Sequence, residues 1–313
     1  MSGIAGGAEL CRNAGGEAAL VRLEGWANTN LKDRQLMLKT ISAASLTLLL
    51  TGVAAPALAQ SAPDWSGPYV GVFGGFIQPD EEPDETLVFD RDLDGDYDDT
   101  VLTSGGQNAF GPGFCGDQAS SGQTRCDDDA SGVEGGVKLG YDMQFGRWVV
   151  GAVGEIAAVD AEDSVSGFST TPAYYSLTRS LDHMAALRAR LGYAAGPALL
   201  YVTGGAAYGK VENSFNTNNT ANSFTATTDE DDADGYQFGG GVEWRLAPSL
   251  TFNAEYIYTD LETGEYNIRV GNTGTTPATN PFILAPNTTG TDLTRSTDSF
   301  ALHSFRIGMN VRF

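Results

Sequence analysis

Ala301-Leu302-His303-Ser304-Phe305-Arg306-Ile307-Gly308-Met309-Asn310-Val311-Arg312-Phe313 closes the chain. From Ser304 onward it alternates without a break. Phe305, Ile307, Met309, Val311 and Phe313 share one face, and Ser304, Arg306, Gly308, Asn310 and Arg312 share the other. A period of two is a β-strand whose faces meet different surroundings. A soluble sheet also alternates, so the ending decides: an aromatic residue at a strand terminus, with no polar tail. Strands of about ten residues, apolar outward and polar inward, with aromatic girdles at both interfaces, build transmembrane barrels. The segment is read as such a strand, with a lipid face and a lumen face.

The same alternation recurs upstream. Strands are expected at about 68–77, 132–143, 148–158, 181–193, 198–211, 235–246 and 250–260, and the quoted segment is the eighth. Short turns at 144–147, 194–197 and 247–249 alternate with long connections at about 78–131, 159–180, 212–234 and 261–299. An even strand count with short turns at one end and long loops at the other is the pattern of an outer-membrane barrel. Greek-key sandwiches do not usually sort their connections this way. The expected fold class is all-β, an eight-stranded antiparallel up-and-down transmembrane β-barrel. The abundant glycine, 40 of 313 residues, suits tight packing inside a narrow barrel.

Strand parity assigns the faces. The outward set holds Val133, Val137, Leu139, Tyr141, Trp148, Val150, Ala152, Ile156, Leu187, Ala189, Leu191, Tyr193, Phe238, Val242, Trp244, Leu246, Phe252, Ala254, Tyr256 and Tyr258, without a charge. Tyr141, Trp148, Tyr193 and Trp244 lie beside the short turns as one girdle, and Tyr208, Tyr236 and Tyr258 lie at the other end as a second. The inward set holds Glu134, Asp142, Glu155, Asp182, Glu243 and Glu255 against Lys138, Arg188, Arg190, Arg245, Arg306 and Arg312. The first strand is ambiguous, because glycine and aromatic residues occur on both parities. Enclosed charges are costly unless paired, so a balanced interior predicts a salt-bridged plug. An eight-stranded barrel is just wide enough for its side chains to fill.

The start of the chain reads as an export signal. Lys39 is a basic n-region, the run from Ile41 to Val53 is apolar, and Ala57-Leu58-Ala59 precedes Gln60. This predicts a signal peptide at 37–59, cleaved between Ala59 and Gln60. The run is shorter than the ~20 residues a spanning helix needs. Residues 1–36 are then a mis-called start, with a genuine N-terminal extension as the alternative. Without the leader the chain 60–313 holds 36 acidic against 13 basic residues, so nucleic acid is excluded as a partner. Export places Cys115 and Cys126 in an oxidising compartment, and a disulfide within one loop is expected, with two free thiols as the alternative.

Several stretches together resemble a known family. They are Trp65-Ser66-Gly67-Pro68-Tyr69-Val70-Gly71, Gly140-Tyr141-Asp142-Met143-Gln144 with Trp148, and Arg188-Ala189-Arg190-Leu191-Gly192-Tyr193. Tyr201-Val202-Thr203-Gly204-Gly205, Gly241-Val242-Glu243-Trp244, Glu255-Tyr256-Ile257-Tyr258-Thr259-Asp260 and the terminal Phe313 complete the set. The chain is similar here to the small proteobacterial outer-membrane β-barrels that include outer membrane immunogenic proteins and opacity-type surface proteins. The resemblance covers the strands and not the loops. It implies an eight-stranded barrel, insertion guided by the C-terminal strand through the barrel-assembly machinery, and a surface or porin-like role. It supplies no catalytic residues.

The remaining candidates are in loops and at the rim. Asp90, Asp92, Asp94, Asp96 and Asp98, with Gly95, follow the first half of a calcium-loop pattern, in which alternate carboxylates offer hard oxygen ligands. Position twelve is Val101, so the bidentate Glu is missing; an acidic solvated loop is the plainer alternative. A weakly held Ca2+ would rigidify this loop or bridge it to lipopolysaccharide phosphates. Unchanged protease sensitivity and melting during a calcium titration would exclude that role. His183 and His303 fall on the outward parity. Adjacent strand residues point to opposite faces, so neither His303 with Ser304 nor His183 with Asp182 forms a nucleophile–base pair. The sequence therefore predicts no enzyme and no other cofactor. It predicts a surface barrel in the bacterial outer membrane, in contact with lipid and lipopolysaccharide, with a small porin as the alternative.

Overall fold

Eight long strands close a ring: β1 (Gly67–Pro79), β2 (Gly132–Phe145), β3 (Trp148–Ser169), β4 (Ala173–Ala195), β5 (Ala198–Thr217), β6 (Asp232–Ala247), β7 (Leu250–Thr263) and β8 (Ser299–Arg312). The computed structural model describes residues 64–80, 84–119, 126–127 and 131–313. The expected leader at 37–59, its cleavage point at Ala59 and Gln60, and the segment 1–36 lie outside these residues. Each strand pairs antiparallel with its chain neighbours, and β8 returns to β1 with Val70 opposite Val311 and Phe76 opposite Phe305. Closure removes the sheet edges, which lipid cannot hydrogen-bond. The chain is an eight-stranded antiparallel β-barrel.

The faces divide as the alternation requires. Phe305 and Ile307 are each 61% exposed, whereas Arg306 between them is 2% exposed. In β1 the ambiguity resolves with Tyr69, Phe73 and Ile77 inward and Val70, Val72 and Phe76 outward. Inward glycines make room for the large inward rings. A Cβ on Gly136 would lie 2.7 Å from Cζ of Phe73, and one on Gly140 would fall onto the ring of Tyr69.

Asp182 is a correction. The β4 register slips between Leu181 and His183 against β5, and between Ala158 and Ala161 on β3. Leu181 and Met184 are both buried, while the two residues between them are both exposed. The bulge inverts the parity of β4 above it, so Asp182 faces outward and not into the lumen. Local insertion of one residue does this wherever it occurs in a strand.

Strands β3 and β4 also outrun expectation. The stretch 159–180 was expected as a loop, but it continues as a paired hairpin, with Glu162 opposite Ser180 and Phe168 opposite Tyr174. Alternation persists there, with Val159, Ala161, Asp163 and Val165 buried and Asp160 and Glu162 exposed. Exposed carboxylates cannot face acyl chains, so this upper hairpin stands beyond the lipid belt. The other long connections carry strands as well. Asn222–Asp229, Tyr266–Asn272, Gly290–Arg295 and Leu87–Asp90 form a four-stranded antiparallel sheet in that order. Beneath it lies a second core that includes Phe89, Phe110, Tyr175, Leu177, Ile268, Phe282 and Leu293. Phe110 is its hub, 4.5 Å from Phe89 and 5.3 Å from Tyr175 between ring centres. Gly113–Cys115 adds to the edge of β3, and a disulfide joins Cys115 to Cys126. The long connections thus build a folded headpiece on the barrel rim.

Candidate functional site

The interior is layered, and each layer can be traced to strand parity. Nearest the short turns, Asp142 of β2 and Glu243 of β6 face Arg190 of β4 and Arg312 of β8. Arg190 lies 3.0 Å from Asp142, and Arg312 lies 2.7 Å from Asp142 and 3.1 Å from Glu243. Arg190 also pairs with Glu243. The Thr251 hydroxyl donates to Glu243 at 2.6 Å and the Asn310 amide at 3.1 Å. The guanidinium of Arg190 lies 3.8 Å over the Tyr201 ring and that of Arg312 4.7 Å over the Tyr69 ring. Two carboxylates meet two guanidiniums, and aromatic faces cover the cations.

At mid-height the opposite charges alternate along a chain. Arg306 bridges Glu134 at 2.6 Å and Glu155 at 2.5 Å; Arg188 bridges Glu155 at 2.6 Å and Glu255 at 3.7 Å; Lys138 ends the chain 3.9 Å from Glu255. Lys138 also donates to the Asn253 side chain at 3.2 Å. Three cations answer three carboxylates, all buried. Between the tiers, a void of ≈10 Å³ is lined by Tyr69, Arg188, Arg190 and Tyr201 among others, about the space of one water molecule. Arg245 departs from the expected ionic set. It donates to the carbonyls of Pro248 and Asp64, each at 2.7 Å. Its guanidinium also lies 4.8 Å over the ring of Trp65, which is fully buried at this end.

Above the ions sits an apolar layer that parity alone did not disclose. Ile77, Val159, Leu181, Val211, Leu261, Phe300 and Leu302 are buried together inside the upper barrel. Most of these residues lie in stretches expected to be loop or at strand limits, so their inward parity was not counted. Continued alternation past Ala158 was the available signal.

A third ionic group crowns that layer, built from three different connections. Arg179 donates to Asp163 at 2.6 Å, and Arg295 reaches Glu85 at 2.6 Å and Asp163 at 2.8 Å. It clamps the headpiece strand Gly290–Arg295 to β3 and β4. Burial raises the Asp163 pKa, but the two guanidiniums outweigh it and hold the carboxyl below its ordinary value. A carboxyl with a lowered folded pKa contributes stability above the unfolded value, and that stability is lost as pH falls through the folded one. Acidification below the ordinary aspartate pKa, about pH 4, should therefore loosen the headpiece. Hydrogen exchange of 290–295 against β8 measures this, and Asp163→Asn should remove the pH dependence contributed by this carboxyl.

The acidic loop takes a different form from the calcium pattern. Asp90 accepts from the amides of Leu93 at 2.6 Å and Gly95 at 2.9 Å, and Asp99 accepts from that of Arg91 at 2.7 Å. Carboxylate oxygens of Asp90, Asp92 and Asp99 lie within 4.8 Å of one another, and Asp94, Asp96 and Asp98 are not in that group. Asp94 instead accepts from the Asp96 amide at 2.9 Å. Backbone amides thus occupy carboxylates that the pattern offers to an ion. His303 is held 2.7 Å from the Tyr256 hydroxyl and 3.8 Å from Asp80, while Ser304 is buried on the opposite face. His183 is exposed beside Asp182 at the bulge.

Comparison with known proteins now bears on this geometry. The family described as outer membrane protein beta-barrel domain matches residues 45–278. A 31 kDa outer-membrane immunogenic protein of Brucella melitensis is 36% identical over 134 residues, covering 42% of this chain and 55% of that protein. A 22 kDa outer membrane protein of Rhizobium leguminosarum is 30% identical over 141 residues, covering 45% and 58%. The chain thus spans little more than half the length of the curated relatives it matches. Among solved structures, the outer membrane protein OprG from Pseudomonas aeruginosa aligns at 15% identity with a TM-score of 0.43, covering 80% of this chain and 99% of that one.

Proposed function

The chain belongs to the outer membrane protein β-barrel domain family, and from that premise we propose that it is a non-conducting surface barrel with a structural or interaction role. Its place is the bacterial outer membrane. The headpiece is the part offered to the outside, and the barrel is its anchor. The partners this reading implies are outer-membrane lipid and lipopolysaccharide around the barrel, and the assembly machinery at β8 during insertion.

The observation that carries it is the sequence of interior layers. Two ionic groups balance within themselves, and an apolar layer containing Leu181, Leu261 and Phe300 lies above them. Hydrophobic constrictions oppose ion passage by excluding water, and paired charges offer no free site to a permeating ion. Refolded protein in planar bilayers should give no stepwise conductance beyond rare openings, while showing heat-modifiable gel mobility as a folded barrel. Steady single-channel steps from the same folded sample would replace this reading with that of a small porin.

A further inference from the structure

On the outer surface, β3, β4 and β5 leave a groove of ≈340 Å³ near the short turns, lined by Trp148, Leu191, Tyr193, Leu200 and Val202. Its floor is backbone of Gly192, Tyr201 and Gly241, residues of inward parity; a Cβ on Gly192 would lie 2.7 Å from the buried Leu199 side chain, and one on Gly241 2.8 Å from the inward Tyr201 hydroxyl. One wall is rigid, since Trp148 and Tyr193 are directly paired across the strands with their rings edge to face at 5.5 Å.

A cation stands at its mouth. Arg147, in the turn after β2, donates to the Tyr193 hydroxyl at 2.9 Å, and its carbonyl accepts from the Ala194 amide at 2.7 Å. Backbone and side chain are thereby both fixed, and a guanidinium has further N–H donors to offer. The other arginines at this end, Arg190, Arg245 and Arg312, are turned to carbonyls and carboxylates of the chain. In so acidic a protein an exposed, oriented guanidinium above an apolar groove complements one shape: a phosphate joined to an acyl chain.

We propose that this groove retains one acyl chain of a glycerophospholipid from the leaflet on the short-turn side, with the phosphate on Arg147. Trp and Tyr at the groove mouth lie where aromatic belts meet headgroups, which sets the ester region level with their polar edges. The proposal goes beyond the surface-barrel reading and rests only on membrane placement, so a conducting lumen would leave it intact.

Native mass spectrometry of the full chain in mild detergent, with added phosphatidylglycerol or with diacylglycerol of the same chains, tests it. Phosphatidylglycerol should be retained about three- to fivefold better, the scale of an exposed charged contact. Arg147→Gln should erase that preference, and Val202→Trp should remove retention of both by filling the groove. Ile307→Trp, on the opposite wall, should change neither. A photoactivatable acyl chain should label the β4–β5 hairpin in the unaltered protein, which keeps the test decisive if a variant fails to fold. Equal retention of the two lipids, an unaffected Val202→Trp barrel of correct heat-modifiable mobility, or labelling spread evenly around the barrel would each overturn the proposal.

Discussion

Replacing Arg306 with methionine should cost the barrel about 3–5 kcal/mol, the range for removing one partner of a buried ion pair. Arg306 is the shared partner of Glu134 and Glu155, and its guanidinium lies 4.9 Å over the Phe73 ring. Methionine keeps much of the packing, leaves the buried Glu134 without its cation and leaves Glu155 to Arg188 alone. The loss should be read as a lower denaturant midpoint in refolding followed by gel mobility. Adding Glu134→Gln to the same chain should recover most of it, because the penalty comes from uncompensated charge and Glu155 still has Arg188. Failure of the double variant to recover would assign the effect to packing.

The second large effect is steric. Gly140→Val should destabilise closure by about 3 kcal/mol, the upper end for overpacking, because the new side chain would occupy the place of the Tyr69 ring. That ring cannot easily yield. Arg312 covers one side, and the Tyr69 hydroxyl accepts from Arg190 at 3.4 Å. Tyr69→Ala in the same chain should restore β1–β2 pairing, giving a coupling of about 2 kcal/mol between neighbours. Independent, additive losses would mean that the glycine serves backbone freedom and not the ring.

These two sites differ in how far the sequence disclosed them. Arg306 declares its face by its place between Phe305 and Ile307, since a strand has only two faces to choose from. Its partners were legible only as a set, because parity says which charges enter the lumen and not which meet. Tyr69 and Gly140 were visible as residues but not as a pair, since shear between strands sets who faces whom. Asp182 misled because a one-residue bulge leaves no mark in composition. The headpiece was beyond reach for another reason. Its sheet joins Leu87 to Arg295, and such distant pairings follow from where the barrel carries the chain ends, not from local pattern. The acidic loop shows the same limit: Asp99, outside the alternating run, approaches Asp90 because the chain folds back after the strand Leu87–Asp90, where the Asp99 amide donates to the Phe89 carbonyl at 3.0 Å.

The paired tiers have one more consequence, for voltage. Displacing one elementary charge through a membrane potential involves about 2.3 kcal/mol per 100 mV, which is how charged segments come to sense a field. Here the cations of the two tiers are matched by anions at the same depth, so displacing a tier as a unit transfers no net charge. The barrel should be electrically silent, equally at rest whichever way the potential points.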